Sequence, residues 1–302
     1  MIMKKFFVLT LMLLTTITGM AQLEHERYWK KGAQKVRVIS YNIFNGFDYS
    51  KDSSREARFV DWVKEQDPEV MMLEELCGFN QAKLEKLAKK YGHKYAAIVK
   101  EDGYPVGITS KEPLEVKVKL VNGYGHGLLH VETYGVNFLV THLNPHDTNK
   151  RRVEVKNVVD YIHKNNLTKV VLAGDMNSHS PFDADYMENT AIDLTAKYGG
   201  AGSKNLLNGK IDYSIISTYL SAPLIDAIQK FVQPEDRFSY PTPILFSIPK
   251  SLEVRRKTNE RLDYIFVSPD MSKMLVEAFV WNGEDTEYLS DHFPVGIDLL
   301  FQ

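Results

Sequence analysis

The stretch Val170-Val171-Leu172-Ala173-Gly174-Asp175-Met176-Asn177 joins a run of apolar residues directly to a glycine, an acid and an amide. A short apolar run that ends at a turn residue is typical of a strand buried on both faces. Side chains two residues apart lie on the same face of a strand. If the strand continues past Gly174, Asp175 and Asn177 point to the same place, which predicts a functional site at this end of the strand.

Strand-like and helix-like patterns alternate along the rest of the chain. Apolar or alternating runs predict strands at 35–43, 70–73, 95–99, 106–109, 114–121, 128–133, 136–141, 170–173, 261–267 and 295–300. Helices are predicted after a capping box at Ser53-x-x-Glu56, at 81–91 and at 152–165. The strands between residues 95 and 141 are separated only by short turns, which predicts a meander. Residues 178–260 are the least regular part of the sequence.

The order of these elements predicts the fold class. Strands outnumber helices, and the helices fall between groups of strands, which favours an α/β fold with sheets packed face to face and helices outside. A plain β-sandwich is the alternative. With 302 residues, 44% of them apolar and 25% charged, the composition is that of an ordinary globular protein. No linker divides the sequence, so residues 22–302 are expected to form one domain.

Residues 1–21 have a different character from the rest. Lys4 and Lys5 precede the apolar run 6–14, and Gly19-Met20-Ala21 has the small-x-small pattern of a cleavage site. The pattern predicts a secretory signal peptide that is removed after Ala21, so that the mature chain is secreted or periplasmic. An uncleaved membrane anchor is the alternative, although the apolar run is shorter than the roughly 20 residues that span a bilayer.

Charge and cysteine content limit the classes of function. Removing Lys4 and Lys5 with the leader leaves 35 of the 37 basic residues against 39 acidic residues. No net positive charge therefore attracts the protein to nucleic acid or to an anionic membrane. Any such partner would have to be bound by a local cluster of basic residues. The single cysteine, Cys77, excludes an intramolecular disulfide and is predicted to be a small buried hydrophobe.

Polar residues follow the ends of the apolar runs. They stand at 40–42, 74–75, 141–144, 174–177, 261–264 and 290–292. Strand ends that meet at one rim would form a pocket rich in carboxylate, amide and imidazole groups. This mixture suits the metal-assisted hydrolysis of a phosphate ester, because hard oxygen ligands hold Mg²⁺ or Ca²⁺ while Asp and His handle protons and phosphate charge. Mg²⁺ usually takes one or two protein carboxylates, so Glu75 and Asp291 would suffice.

These strand ends resemble the motifs of the endonuclease/exonuclease/phosphatase superfamily, a group that includes nucleases, sphingomyelinases and inositol-polyphosphate phosphatases. The resemblance runs from about Val36 to Phe301 and keeps the family's order. Its motifs are Ser-Tyr-Asn-Ile at 40–43, Leu-Glu-Glu at 73–75, Gly-Ile-Thr-Ser-Lys at 107–111, Thr-His-Leu at 141–143, Gly-Asp-Met-Asn at 174–177, Arg-Leu-Asp-Tyr-Ile at 261–265 and Ser-Asp-His-Phe-Pro at 290–294. The resemblance implies a catalytic domain with a deoxyribonuclease-like four-layer sandwich of two stacked mixed β-sheets flanked by helices.

The resemblance also implies a metal site. Glu75 matches the family's principal metal ligand, with Asn42 and Asp291 assisting from neighbouring strands. The implied ion is Mg²⁺, with Mn²⁺ or Ca²⁺ as alternatives. Glu74 stands where the family often has glutamine, so an additional charge either enters the edge of the pocket or faces away from it.

Catalytic roles follow from the same matched positions. Asp175 and Asn177 are expected to position the attacking water and the phosphate. His292 is expected to be held by Asp263, a carboxylate that stabilises imidazolium and so keeps a positive donor on a phosphate oxygen. His142 matches a second histidine that contacts phosphate or protonates the leaving oxygen.

The other histidines have no matching motif. His126, His130, His146 and His179 are expected to be structural or surface residues. His126 and His146 lie in loops beside site-bearing strands, where contact with substrate is also open. A zinc site built from His142 and His146 is disfavoured, because the pair spans Asn144-Pro145, which breaks a helix.

The sequence leaves the substrate class open. A basic run at Lys250, Arg255, Arg256, Lys257 and Arg261 would hold a polyanion or form a solvated loop. The apolar stretch 241–249 would rest on lipid if it is exposed, or pack against a sheet if it is buried. The leading hypothesis is a secreted, monomeric, metal-dependent phosphodiesterase of the nuclease type that needs no protein partner. The alternatives are the same chemistry on a lipid or small-molecule phosphate, and a catalytically silent binding module. The intact set of ionisable residues speaks against the silent module.

Overall fold

A computed structural model describes residues 33–189, 205–246 and 259–301. Contacts divide these residues into a large unit, 36–299, and a small unit of the described residues that flank it in sequence. The predicted signal peptide and the residues of the basic run before Arg261 lie outside the described residues. Within the described ranges, none of the helices combines the length and the apolar character that crossing a bilayer would require.

Strands dominate the described chain, as the sequence predicts. The elements in chain order are β1 (Gln34–Asn42), α1 (Ser53–Gln66), β2 (Val70–Glu74), α2 (Gln81–Lys90), β3 (Tyr95–Ile98), β4 (Gly107–Ser110), β5 (Glu115–Leu120), β6 (Leu128–Thr133), β7 (Val136–Thr141), α3 (Thr148–Lys164), β8 (Val170–Asp175), α4 (Ala184–Asn189), β9 (Leu206–Leu207), β10 (Lys210–Ile211), α5 (Ser214–Ser221), β11 (Ile225–Asp226), α6 (Ala227–Phe231), β12 (Asp263–Val267), β13 (Leu275–Val280) and β14 (Val295–Phe301).

The strands form two six-stranded sheets and one small hairpin. The first sheet has the order β13-β14-β1-β2-β4-β3, and the second has the order β11-β12-β8-β7-β6-β5. Both sheets are mixed, because β1–β2 and β7–β8 are parallel pairs while β2–β4 and β8–β12 are antiparallel pairs. Strand β2 contacts β7 and β8, so the centres of the two sheets face each other. The predicted sandwich of two stacked mixed sheets is therefore confirmed.

Helices cover the outer faces of the sheets and bury two apolar clusters. Tyr41 and Leu73 of the first sheet pack with Phe59 of α1 and Leu87 of α2. In the second sheet, the corresponding cluster is formed by Leu139, Leu172, Val158 and Ile216, with the last two on α3 and α5. These layers exclude the plain β-sandwich. Burial of this apolar surface is the main force that holds the helices against the sheets.

The predicted single meander is wrong. Strands β3 and β4 pair with each other in the first sheet, whereas β5, β6 and β7 form a meander in the second sheet. The chain therefore changes sheets between Ser110 and Glu115. The periodicity of a strand indicates which of its faces are buried, but it does not indicate which strand pairs with it. The passage of the chain from one sheet to the other therefore cannot be recognised from the local sequence.

Two local predictions have different outcomes. Helix α1 is capped by Asp52, whose Oδ1 accepts a hydrogen bond from Arg55 N at 2.9 Å, so the predicted cap at Ser53 is wrong by one residue. Aspartate and serine are similarly good caps, and the sequence offers both in succession. Cys77 is fully buried as predicted, and burial raises the pKa of its thiol to about 12.

Strand β13 was not predicted. Its burial does not alternate, and its pairing with β14 shifts register between Leu275 and Glu277. A β-bulge of this kind breaks the two-residue period on which a strand prediction depends. The strand also lies at the edge of the first sheet, where only one neighbour constrains the pattern.

Candidate active site

A pocket of about 290 Å³ lies where the ends of strands from both sheets meet. It is lined by Glu75, His142, Pro145, His146, Asp175, Asn177, Asn205, Tyr240, Leu262, Asp291 and His292. Most of the predicted site residues are therefore brought together in one place, which we call the reaction pocket. The two exceptions, Asn42 and Asp263, lie behind it and contact its residues.

Gly174 is the residue that allows this convergence. Its φ is 141°, and a Cβ atom at this position would lie only 1.8 Å from Thr141 O of the neighbouring strand β7. Only glycine adopts this conformation and leaves room for the neighbouring backbone. Strand β8 can therefore run against β7 and end in the pocket.

Strand β8 ends at Asp175, so the prediction that Asp175 and Asn177 share one face of a continuing strand is wrong. The backbone turns instead. Asn177 has a φ of 47°, and its N–H donates to Asp175 Oδ1 at 2.9 Å. Short polar side chains commonly bond the backbone two residues onward in this way, and asparagine tolerates the left-handed conformation. The turn places both side chains in the reaction pocket, as predicted, but by a different route.

His292 is held by a buried carboxylate. Its Nδ1 lies 2.7 Å from Asp263 Oδ2, and its Nε2 lies 3.7 Å from Asp175 Oδ2. Burial alone would lower the pKa of His292, but Asp263 and Asp175 outweigh this effect and hold that pKa well above its ordinary value. These carboxylates therefore favour the positively charged imidazole, and Nε2 is the ring nitrogen directed toward Asp175.

Asp175 is surrounded by groups that orient it. Asn42 Nδ2 donates to Asp175 Oδ2 at 3.3 Å, while the Asn177 N–H holds Oδ1. Burial raises the pKa of Asp175 to about 8, although the positive charge of His292 acts in the opposite direction. A carboxylate whose pKa lies near neutrality is well suited to accept a proton in catalysis.

Asn42 does not line the reaction pocket. Its Oδ1 accepts a hydrogen bond from Phe44 N at 3.0 Å, and its Nδ2 is bonded to Asp175. Its backbone oxygen accepts a hydrogen bond from Ser290 Oγ at 2.5 Å. The structure thus places Asn42 as a support behind Asp175 and ties it to the loop that carries Asp291.

His142 is neutral in this environment. Burial, His126 and His292 together lower the pKa of His142 well below its ordinary value. Its Nε2 lies 3.1 Å from Asn177 Nδ2 and 3.4 Å from Asp175 Oδ2, and its ring centroid lies 4.6 Å from that of His126. A neutral ring of this kind can contact a phosphate oxygen, but it has no spare proton with which to act as a strong general acid.

Glu75 and Asp291 could supply oxygen donors for a cation. Both line the reaction pocket, and Glu75 Oε2 accepts a hydrogen bond from Asn45 N at 2.8 Å. Burial raises the pKa of Asp291 to about 6, and the negative charge of Glu75 acts in the same direction. Hard carboxylate oxygens in a polar pocket fit Mg²⁺, Mn²⁺ or Ca²⁺.

A second group has metal-ligand spacing, but its chemistry fits a different role. Donor atoms of Asp175, Asp263 and His292 all lie within 4.8 Å of one another. A metal-binding histidine must be neutral, whereas the neighbouring carboxylates of Asp263 and Asp175 hold the pKa of His292 well above its ordinary value. This direction favours a hydrogen-bonded Asp263–His292 dyad, and Glu75 and Asp291 are the other carboxylates of the pocket that could hold a cation.

An unusual backbone segment positions Glu75. Residues Phe44 to Ser50 all have positive φ values, which describes a left-handed helical turn. Such a turn costs roughly 1–2 kcal/mol per residue and needs support from the surroundings. The Arg55 guanidinium donates to Ile43 O and Phe44 O, each at 2.9 Å. The segment presents the Asn45 N–H that fixes the Glu75 carboxylate.

Glu74 faces away from the reaction pocket. It is fully buried, and Ser40 Oγ donates to its Oε1 at 2.9 Å. Within the described part of the chain, no hydrogen-bond partner reaches Oε2. Burial is the main reason that the pKa of Glu74 lies well above its ordinary value, with Asp263 as a second cause. The additional carboxyl group at this position therefore lies in the protein interior, where burial favours its neutral, protonated form.

We expect Glu74→Gln to stabilise the protein at high pH. Because the folded state raises the pKa of Glu74, this residue costs stability once the pH exceeds the ordinary pKa of glutamate, and the cost grows toward the folded-state pKa. Urea unfolding in EDTA should show a gain in the free energy of unfolding at pH 8 and no gain at pH 4. The exposed variant Glu284→Gln is the control, and equal stability of Glu74→Gln and wild type at pH 8 would contradict the burial argument.

Four residues that line the reaction pocket were not predicted from the sequence, namely Pro145, Asn205, Tyr240 and Leu262. The Tyr240 ring lies 4.9 Å from the His292 ring, and burial raises the pKa of its hydroxyl to about 12. Asn205 and Tyr240 come from the irregular region after Asn177, where no motif marks them. Leu262 lies inside a recognised motif, but its apolar side chain gave no chemical indication of a role.

The remaining histidines divide into two groups. His130 and His179 are structural as predicted: His130 bonds Tyr161 Oη, and His179 Nε2 lies 2.9 Å from Glu260 Oε2. His146 lines the reaction pocket, and His126 packs against the ring of His142. The possibility of substrate contact left open for His146 and His126 therefore has a structural basis.

Arg261 is not part of an exposed basic surface. Its side chain is buried, with Nε 2.7 Å from Asp183 Oδ2 and Nη2 2.8 Å from Asp226 Oδ2. Both alternatives, contact with a polyanion and a solvated loop, are therefore wrong for Arg261, because two buried carboxylates bind its guanidinium. Of the apolar stretch 241–249, residues 241–243 are buried and Leu245 is 40% exposed, while 247–249 lie outside the described residues.

Comparison with known proteins places the chain in a family. Residues 39–292 match the model of the Endonuclease/Exonuclease/phosphatase family. The chain therefore belongs to this family, whose members are hydrolytic, divalent-metal-dependent phosphoesterases, and it is a phosphoesterase of this type. No curated protein sequence matches the chain significantly.

Solved structures of other proteins share the fold. An AP endonuclease from Archaeoglobus fulgidus is 18% identical, with a TM-score of 0.66 over 87% of this chain and 98% of that chain. The 3′ phosphatase NExo from Neisseria, bound to a product DNA hairpin, is 19% identical, with a TM-score of 0.63 over 87% of this chain and 99% of that chain. A humanized D. rerio TDP2 is 18% identical, with a TM-score of 0.55 over 89% and 99%. At these identities the likeness concerns the fold.

Proposed function

We propose that the chain is a divalent-metal-dependent phosphodiesterase in which Asp175 activates the attacking water. The observation that carries the proposal is the position of Asp175. It lies between Asn42, the Asn177 turn and the charged His292, in a pocket that also contains the carboxylates of Glu75 and Asp291. A base, a cationic donor and oxygen ligands for a cation thus meet around a space that admits a phosphate group.

Glu75 and Asp291 would hold the cation, with Mg²⁺ as the proposed ion and Mn²⁺ or Ca²⁺ as alternatives. When bound, such an ion draws electron density from a phosphate oxygen and offsets the charge that builds during hydrolysis. The backbone N–H of Asn45 fixes one oxygen of Glu75 and leaves the other available. The residues present therefore fit the ion without rearrangement of the left-handed turn.

The proton transfers follow from the hydrogen bonds. Asp175 accepts a proton from the water as the water oxygen bonds to phosphorus. His292 donates from Nε2 to a non-bridging phosphate oxygen, where negative charge builds, while Asp263 keeps the ring oriented through Nδ1. Asn177 and His142, whose side chains lie 3.1 Å apart, also contact the phosphate. The bond to the ester oxygen breaks, and the departing alcohol takes a proton from solvent.

Two substrate classes have specific support. A nucleic acid is favoured by the AP endonuclease and the DNA-bound 3′ phosphatase among the similar structures. A small or lipid diester is favoured by the pocket lining, because its described residues include neither lysine nor arginine. Polyanion binding depends on such cations. Hydrolysis of DNA, RNA, sphingomyelin and small diesters by the purified mature chain distinguishes the classes.

Chelation is expected to abolish activity. With bis(p-nitrophenyl) phosphate as substrate, EDTA should stop the release of p-nitrophenolate, and Mg²⁺ should restore it. Glu75→Gln and Asp291→Asn should each raise the Mg²⁺ concentration needed for half-maximal activity by at least about tenfold, since each removes a charged oxygen ligand. The exposed variant Asp285→Asn serves as control. Full activity in EDTA, or an unchanged metal requirement in both variants, would contradict the proposed cation site.

We also propose that the chain is exported, because residues 1–21 have the pattern of a signal peptide. In a host with a matching secretion system, mature protein that begins at Gln22 should be recovered outside the cytoplasm. Recovery of the full-length chain in the cytoplasm alone would contradict export. A monomeric state without a protein partner stays a prediction.

A further inference from the structure

A second cavity adjoins the reaction pocket. It has a volume of about 510 Å³ and is lined by His146, Asp147, Thr148, Asn149, Arg152, Leu206, Leu207 and Asn208. We call it the side pocket. His146 lines both cavities, and Asn205 of the reaction pocket directly precedes Leu206 of the side pocket. The shared residue His146 places the side pocket next to the space in which a phosphorus atom beside Asp175 would lie.

The amide of Asn149 is oriented by Arg152. Arg152 Nη1 donates to Asn149 Oδ1 at 2.7 Å. A guanidinium only donates hydrogen bonds, so the amide oxygen must face it and Nδ2 must face the other way. Within the described residues, the Asn149 side chain has no further hydrogen bond. Asn149 is exposed and is one of the residues that line the side pocket, so its Nδ2 is available to an acceptor oxygen.

Arg151 and Asn205 form a similar arginine–amide pair beside the reaction pocket. Arg151 is fully buried, and its Nη2 donates to Asn205 Oδ1 at 2.5 Å. The consecutive arginines of α3 therefore orient two amides, Asn205 in the reaction pocket and Asn149 in the side pocket. In both pairs, an arginine of α3 thus bonds the amide oxygen of an asparagine that lines a cavity.

The charged groups of the side pocket are already satisfied. Arg152 Nη2 lies 2.5 Å from Asp212 Oδ2. Asp147 Oδ1 accepts from Asn149 N at 2.9 Å and from Lys150 N at 3.2 Å, which caps the first turn of α3. The N-terminus of α3 is thus already capped by the carboxylate of Asp147. Among the described lining residues, no unpaired positive charge remains to bind a second phosphate group. A polyanionic ester group is disfavoured here.

Apolar surface completes the lining. Leu206 and Leu207 lie opposite the polar first turn of α3, and Leu207 is 50% exposed. An uncharged alcohol with several hydroxyl groups matches both kinds of surface, because its oxygens accept from amide donors while its C–H groups cover the leucines. A simple alkyl group would leave the amide donor unused.

We propose that the side pocket binds one ester group of the substrate and selects an uncharged, hydroxyl-rich alcohol through Asn149. The inference rests on the proposed phosphodiesterase function and names the substrate class of that site. The alcohol is glycerol-like or sugar-like and belongs either to a soluble diester or to a lipid headgroup.

The test compares two esters with the same leaving group. Glycerol p-nitrophenyl phosphate and propyl p-nitrophenyl phosphate differ only in hydroxyl groups, and both release p-nitrophenolate. With Mg²⁺, the wild type should favour the glycerol ester by about tenfold in kcat/KM, a difference that one or two hydrogen bonds supply. Asn149→Asp keeps the acceptor for Arg152 but removes the donor. It should lower kcat/KM for the glycerol ester about fivefold and leave the propyl ester unchanged.

The controls separate this inference from the proposed function. Asn149→Ala should lose the same selectivity without adding a charge, and Asn165→Ala, at the far end of α3, should keep it. If neither ester is hydrolysed with Mg²⁺, the proposed function fails and the inference fails with it. If both are hydrolysed equally by wild type, or if Asn149 variants keep the preference, the function stands and the inference is overturned.

A competition arm distinguishes the two sources of the alcohol. Glycerophosphoglycerol and vesicles of phosphatidylglycerol are added to the glycerol ester assay. Inhibition by the soluble diester alone assigns a soluble substrate, and inhibition by the vesicles assigns a lipid headgroup. Inhibition by neither would overturn the choice of alcohol.

Discussion

Asp175→Asn is expected to lower kcat for bis(p-nitrophenyl) phosphate by at least about 10³-fold, because a positioned general base typically contributes 10²–10⁴-fold. The amide cannot accept the proton of water. Its Oδ1 can still accept the Asn177 N–H, so the turn is retained. The new NH₂ group would face the Asn42 donor and the His292 cation, which adds to the loss. KM should change by no more than a few-fold, since the metal ligands are untouched.

The measurement is steady-state kinetics with saturating Mg²⁺, together with urea unfolding of each variant. Asp61→Asn, an exposed aspartate on α1, is the matched control and should keep full activity. A folded Asp175→Asn protein with kcat within tenfold of wild type would remove the general base from the mechanism. A kcat loss that accompanies unfolding would instead assign Asp175 to stability.

The charge arrangement explains why these residues serve catalysis better than stability. Asp175, Asp263 and His292 are buried close together, with the partly buried Asp291 beside His292, and burial raises the pKa values of Asp175 and Asp291. Crowded buried carboxylates cost folding free energy unless a cation compensates them. The arrangement is therefore destabilising in a protein without this function, which argues against a catalytically silent module.

The strands and the motifs at their ends could be predicted because both are local. Buried strand β8 is visible as a continuous apolar run, and the polar residues that follow β2, β7 and β8 stand where those strands end. Parallel and antiparallel strands that stop at one rim bring their terminal side chains together regardless of the loops between them. Most predicted site residues consequently meet in one pocket.

Features that depend on distant parts of the chain could not be predicted. Nothing adjacent to Asn205 indicates that Arg151 binds it from another element. Likewise, the orientation of Glu74 depends on Ser40 of the neighbouring strand. The crossing of the chain between sheets before β5 depends on which strands pair. In each case the deciding contact is made by residues far apart in sequence.

Gly174→Ala is expected to destabilise the fold by at least about 4 kcal/mol, which places it among the most damaging single substitutions. The added Cβ would lie 1.8 Å from Thr141 O and 3.3 Å from Glu74 Oε1, and the φ of 141° is strained for alanine. Neither the clash nor the strain can be relieved by a side-chain rotation, because the obstacle is the backbone of β7. The two strands would have to separate at their paired ends.

Gly283→Ala is the matched control, since a Cβ there meets no atom within 4 Å. Urea unfolding and the yield of soluble protein should show near-normal stability for Gly283→Ala and little folded protein for Gly174→Ala. Wild-type stability of Gly174→Ala would mean that β7 and β8 do not approach as closely as described. Because β7 leads into His142 and β8 ends at Asp175, such a result would also undo the geometry on which the hydrolytic site depends.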